Sequence, residues 1–158
     1  MGSGESIDDQ VRSLMLADDG VFPNNPKLPM LIYAGAFLPF GSGGDPAAEI
    51  EARFDSNGWP SAWRYGVYPF QHYHAGAHEV LGVSRGTAEL QFGGPAGPVV
   101  AVEAGDAVLL PAGTAHKSIS SSADFEGVGA YPPGQGADMC YGKVGERSRV
   151  DEQISEVP

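Results

Sequence analysis

Glycine and proline cut the second half of this chain into apolar runs too short to be helices. From about Trp63 onward, runs rich in Val, Leu, Phe and Tyr alternate with glycine-centred breaks, the texture of strands joined by turns. Thr87 to Phe92 alternates, with Ala88, Leu90 and Phe92 on one face and Thr87, Glu89 and Gln91 on the other, as a half-buried antiparallel strand does. The Gly93–Gly97 stretch turns the chain into Val99–Val102, and Gly105-Asp106 breaks it before Val108–Leu110. Pro111-Ala112-Gly113 turns it again into strands from about His116 and from Phe125 to Tyr131. The 23 glycines and 13 prolines among 158 residues are turn-rich without being low-complexity. Strands at this spacing, with no helices between them, predict an all-β barrel or jelly roll.

Ahead of that region two segments read as short helices. Ser6 with Asp9 resembles a capping box, with Ile7, Val11, Leu14 and Met15 at helical spacing until Asp18-Asp19-Gly20. Asp45-Pro46 supplies an N-cap and first-turn proline for a helix from Ala47 to about Phe54. Between them Leu28 to Phe40 is apolar but broken by Pro29, Gly35 and Pro39, so it reads as extended strand and turn. After about Val144 the chain is polar and reads as a surface-draped or frayed tail. The length fits a single domain over residues 1–158, with a barrel core at about 63–143, an N-terminal extension at 1–62 and a polar tail at 144–158.

A formal net charge of −11 repels polyanions, which argues against nucleic acid and anionic membrane as partners. Acidic residues stand near the N-terminus where a signal peptide carries basic ones, and no apolar run approaches the roughly 18 residues that span a bilayer. A single cysteine, Cys140, has no internal partner for a disulfide and reads as a small buried hydrophobe. The expectation is a cytoplasmic protein. Gly2 with Ser6 formally matches a myristoylation pattern, a weak signal in a Gly/Ser-rich opening.

The chemistry concentrates in the histidines. Of four, His72, His74 and His78 fall within seven residues, with Glu79 beside the last, and the fourth is His116. Residues two apart on a strand share a face, so His72 and His74 can aim both imidazoles at one point. The small Ala75-Gly76-Ala77 then lets the chain bring a third ligand back. Imidazole nitrogen and carboxylate oxygen are the donors that borderline divalent metals take. Strand parity leaves open whether Glu79 or His78 turns inward, since either face of Val80–Val83 is apolar.

Gly66 is followed after five residues by His72, then His74, after four more by Glu79 and after six more by Gly86; Gly105 is followed by Pro111, Gly113 and His116 at matching intervals. This pattern resembles the two motifs of the cupin superfamily, departing only at Ser120, where the pattern often has Asn. The run His72–Gly82, with Asn24–Pro29 ahead of it, is similar to small stand-alone microbial cupins whose reaction is not established. The resemblance implies a double-stranded β-helix (jelly-roll) barrel, to which the two short N-terminal helices read above would be attached. It also implies one divalent transition metal (Fe, Mn, Ni or Zn) held by His72, His74, Glu79 and His116. It selects Glu79 over His78, which is then expected at the second layer or pocket rim, orienting a ligand or moving a proton.

Tyr73, Trp63, Arg64 and Tyr131 are further candidates for the substrate pocket, with Tyr141 behind them, while Lys117 should face away from the metal by alternation. The function expected is a small metal-dependent enzyme on a small organic metabolite. Dioxygenase-type oxidation comes first, a sugar or keto-enol isomerase second, and a non-catalytic small-molecule or metal-binding module is the rival class. Related single-domain cupins commonly pair through their sheets, so a homodimer is expected, with the apolar stretch Met30–Phe37 pairing with a neighbour's edge or covering the chain's own.

Overall fold

A computed structural model describes residues 11–60 and 62–158. Among them the backbone forms nine strands: β1 (Val11–Leu14), β2 (Met30–Tyr33), β3 (Trp63–Tyr65), β4 (Glu79–Arg85), β5 (Thr87–Phe92), β6 (Val99–Glu103), β7 (Ala107–Leu110), β8 (His116–Ser121) and β9 (Glu126–Ala130). Two helices accompany them, α1 (Pro46–Ser56) and α2 (Arg147–Glu156). A six-stranded sheet runs β1-β2-β7-β4-β9-β3 and a three-stranded sheet runs β6-β5-β8, with every pairing antiparallel. The fold is the expected all-β jelly roll. No helix among the described residues is long and apolar enough to cross a membrane.

The main core lies between the sheets. Met30 and Ile32 of β2, Leu81 and Val83 of β4, and Val108 and Leu110 of β7 meet Ala88, Leu90 and Phe92 of β5 and Val100 and Val102 of β6. The alternation expected for Thr87–Phe92 is the one observed, with Ala88, Leu90 and Phe92 buried. Each large side chain fully buried there stabilises the fold by about 1.5–3 kcal/mol.

Helix α1 begins where expected: Asp45 accepts from Ala47 N at 3.1 Å, and Pro46 opens the first turn. It lays Ala47, Ile50 and Phe54 on the outer face of the larger sheet, against Val128 and Ala130. The approach is close at Gly82, where a Cβ would stand 2.8 Å from Ile50 Cγ2 and 3.2 Å from Phe54 Cζ. Both faces of β4 are therefore buried, one by the opposite sheet and one by α1, which is why its apolar pattern alone did not reveal its parity.

Three expectations are corrected. Over Val11–Leu14 the chain is strand, paired with β2 from Val11↔Tyr33 to Leu14↔Met30; sheet pairing overrides the weak helical spacing there. The first half of that expected helix lies outside the described residues. Two helices do accompany the barrel, but only α1 precedes the strands from β3 onward, and the other is C-terminal. Finally, the tail is no frayed end. It folds into α2, whose Val150 and Ile154 are buried against Phe22, Tyr73, Ala75, Ala112, Ala115 and Cys140. Arg147 fixes its start by donating to Asp18 Oδ1 at 2.8 Å and bridging Asp151 at 3.1 Å. The stripe is two residues wide in an otherwise polar segment, so composition hides it.

The Met30–Phe37 stretch covers the chain's own edge. Its strand β2 is paired on both sides, by β1 and β7, and offers no free edge to a neighbour. Just before it, buried Asn24 and Asn25 brace the turn that leads into β8: Asn24 Oδ1 accepts from Ala115 N at 3.1 Å, and Asn25 Nδ2 donates to Ala112 O at 2.9 Å.

The docking of α2 has a measurable consequence. Replacing buried Ile154 with Ala should lower unfolding stability in urea by about 2–5 kcal/mol, the usual cost of truncating a packed Ile. A change within about 0.5 kcal/mol, typical of an exposed position, would mean that α2 is not packed.

Candidate metal centre

The site is built by alternation along an extended segment. His72, Tyr73, His74 and Ala75 are all buried, but they point to opposite sides. His72 and His74 line a cavity between the sheets, whereas Tyr73 and Ala75 belong to the cluster beneath α2. The backbone is clamped on both sides: His72 exchanges hydrogen bonds with His116 (3.2 and 2.9 Å), and Tyr73 with Cys140 (2.9 and 3.0 Å). His116 is the first residue of β8 and Glu79 the first of β4, so sequence neighbours and distant strands deliver four side chains to one place.

Each imidazole is oriented the same way. His72 Nδ1 lies 3.0 Å from Phe70 O, His74 Nδ1 2.6 Å from Asp138 O, and His116 Nδ1 3.0 Å from Thr114 O. A carbonyl oxygen only accepts, so each Nδ1 carries a proton and each Nε2 is left for other work. The ring centroids are 4.1 Å apart for His72–His116, 5.7 Å for His74–His116 and 5.9 Å for His72–His74. Ligand-capable atoms of the three lie within 4.8 Å of one another, so the three buried histidines can hold a metal ion.

Glu79 completes the arrangement. Its Oε2 is 2.8 Å from His74 Nε2 and 3.7 Å from His116 Nε2, yet it is buried with no aligned hydrogen-bond donor. A buried carboxylate oxygen left in this state is costly unless a cation meets it. The donor set, three imidazole nitrogens and one carboxylate oxygen, therefore fits a first-row transition metal. Burial works against charge on Glu79, but His74 and His116 outweigh it and hold its carboxyl below the usual range. Burial also opposes the imidazolium of His74, where contact with Glu79 prevails and raises the pKa. Burial wins at His116, pushed down to about 4, and at His72, also lowered.

The cavity above these residues has a volume of about 310 Å³ and is walled by Trp63, Val67, Tyr68, Tyr131 and Met139. The Trp63 indole packs against β9 where Gly129 leaves room; a Cβ there would collide with it. Tyr131 stands edge-on to His74, with centroids 5.6 Å apart. Burial, reinforced by the Glu79 carboxylate, pushes its phenol pKa up, with the Trp63 indole acting the other way.

The structure brings together His72, His74, Glu79, His116, Trp63 and Tyr131, but it moves two of the expected site residues elsewhere. Tyr73 does not reach the cavity: alternation turns it the other way, edge-on to Phe22, with its hydroxyl 3.4 Å from Glu146. His78 stands in the loop just before β4, half-buried, and does not line the cavity. Its Nδ1 accepts from Ala112 N at 2.8 Å and its Nε2 lies 2.8 Å from Pro158 O, so it ties the β7–β8 turn to the C-terminal segment. Arg64 lines the cavity, but its guanidinium is held by Glu51 and by Asp45, the latter at 2.9 Å. Tyr141 is at the exposed rim, Lys117 does not line the cavity, and Cys140 is buried, its thiol pushed up to about 12 by burial and by Asp138.

Sequence reasoning missed Asp138. Its carbonyl orients His74, and its Oδ1 accepts from Ala75 N at 2.9 Å and Gly76 N at 3.0 Å. It lies 64 residues from His74 with no spacing signal to find it by.

Residues 66–126 match the Cupin domain family. An uncharacterized protein of Bacillus subtilis (strain 168), YjlB, is 40% identical over 147 residues, covering 93% of this chain and 85% of that protein. The chain belongs to the cupin superfamily. Among solved structures, this cupin is similar to acireductone dioxygenase from Bacillus anthracis, with 17% identity, a TM-score of 0.48, and coverage of 71% of this chain and 83% of that one. It is also similar to a conserved double-stranded β-helix protein from Klebsiella pneumoniae, with 16% identity, a TM-score of 0.41, and coverage of 89% and 95%.

If the four buried groups form one centre, His74→Ala, His116→Ala and Glu79→Ala should each lower metal content measured by elemental analysis. His78→Ala should keep the metal, because its ring is engaged with Ala112 and Pro158. Metal lost in His78→Ala but retained in Glu79→Ala would reverse the assignment.

Proposed function

We propose that this cupin is a metal-dependent enzyme that oxidises a small organic metabolite with dioxygen, its one divalent metal held by His72, His74, Glu79 and His116. The observation that carries the reading is Glu79 Oε2, buried without an aligned donor and facing the imidazoles at the floor of an open-mouthed cavity. A metal there, iron first, supplies redox chemistry and open positions for substrate oxygen and dioxygen.

The protein's own groups favour oxidation over isomerisation. Sugar or keto-enol isomerisation needs a side chain that lifts and returns a proton near neutral pH. Apart from the four proposed ligands, the titratable groups lining the cavity among the described residues are Tyr65, Tyr68, Tyr131 and Arg64. These are three phenols and a guanidinium; Tyr131 is pushed further from neutrality, and Arg64 is held in ion pairs. With His78 turned away, no lining group suits the proton-transfer role. What the walls do instead is exclude water: Trp63, Val67 and Met139 present apolar surface to whatever binds beside the imidazoles.

The test is an oxygen-electrode screen of iron-reconstituted protein against catechols and enediols. The expected result is oxygen uptake with at least one of them that disappears in His116→Ala. Iron-loaded protein that binds these compounds and consumes no oxygen would favour the non-catalytic binding module.

A further inference from the structure

The mouth of the cavity carries an aromatic surface that the metal ligands do not account for. Tyr68 lines the cavity and sits edge-on to His72, with ring centroids 5.4 Å apart. Phe70 stacks on Tyr68 at 5.0 Å with an interplanar angle of 15°, and Tyr141 continues the row 6.0 Å beyond Phe70. The three are 41–43% exposed, so the row runs from a buried histidine out into solvent. Contiguous apolar surface of this kind, beside a pocket with polar groups at its floor, marks a binding face.

Charge narrows what can bind. Arg64 lines the cavity, but its guanidinium is held by Asp45 and Glu51. Lys143 sits over the Tyr141 ring, 5.1 Å from its centroid, at the outer end of the row. Among the described residues no other Lys or Arg lines the cavity. The whole chain carries a formal charge of −11. With its hydroxyls toward the histidine cluster, a substrate carrying a phosphate or carboxylate at its far end would thus meet no unpaired side-chain cation along the cavity walls and a repulsive net field outside. Size agrees with a ring: an apolar cavity of roughly 150 Å³ holds benzene, and this one is about 310 Å³.

We propose that the site takes an uncharged, planar aromatic diol, its adjacent hydroxyls toward the histidine cluster and its ring face continuing onto the Tyr68–Phe70 stack. This rests on the metal-dependent reading for the hydroxyl end, while the aromatic row is an independent observation.

Zinc-loaded protein separates the two, because zinc keeps the donors occupied without oxidising the probe. Calorimetric titration should show 4-methylcatechol binding more tightly than 3,4-dihydroxybenzoate, the same ring bearing a carboxylate. Phe70→Ala should weaken 4-methylcatechol by about 3- to 10-fold, in line with one aromatic contact, and Phe70→Tyr should restore it. Phe70 is 43% exposed, and the backbone carbonyl that orients His72 survives both changes; unchanged zinc content and melting temperature verify that the fold is intact. Equal or tighter binding of the carboxylate, no effect of Phe70→Ala, or no binding of either probe to protein that retains zinc would overturn the substrate class and leave the metal centre standing. Protein that retains no zinc would overturn the metal reading and the proposal together.

Discussion

Two backbone pairings hold the site: His72 with His116, and Tyr73 with Cys140. Because they lock an extended segment, alternation becomes rigid geometry, with two imidazoles on one side and Tyr73 and Ala75 on the other. The same four residues thereby build the centre and its foundation. Helix α2 seals the back of that segment, and Asp138 ties the front through the carbonyl that receives His74 Nδ1–H. A register slip of one residue would exchange histidines for tyrosine and alanine in the cavity and expose the core contact beneath α2. Core and site are protected by one constraint.

Electrostatics follows from that geometry. Three imidazoles give their Nδ1 protons to main-chain carbonyls, so their Nε2 atoms converge as lone pairs around a buried carboxylate. The arrangement gathers three ring nitrogens around a carboxylate, an expensive state in a dry cavity unless a proton held by His74 or a cation meets it. The tautomers depend on Phe70, Asp138 and Thr114 carbonyls, which no side-chain substitution removes, so the orientation of the imidazoles is written into the backbone.

The strands and the cluster were legible because both rest on short-range regularities. Alternation in Thr87–Phe92 and the His-x-His pair each follow from a two-residue period, and Asp45-Pro46 announces α1 by local capping chemistry. What was not legible depends on partners far along the chain. Val11–Leu14 is a strand because β2 is there to pair with it, and α2 is ordered because its two buried residues meet a surface assembled from four other segments. Parity at β4 was hidden since α1 buries the face that would otherwise be polar, so Val80 and Leu81 look alike in sequence. Tyr73 and His78 were misplaced for related reasons. Tyr73 is a neighbour of His72 and His74 in sequence and therefore, by alternation, faces away from the cavity, while His78 precedes β4 and its ring is engaged by Ala112 and Pro158.

The central claim is that three imidazole nitrogens and one carboxylate oxygen share a single ion. X-ray absorption at the metal edge of the loaded protein reads that coordination directly. The account predicts about three imidazole nitrogens and at least one oxygen at roughly 2.0–2.2 Å, with the imidazole scattering reduced by one ligand in His74→Ala. Four imidazoles with no carboxylate, or a shell of oxygen alone, would contradict it.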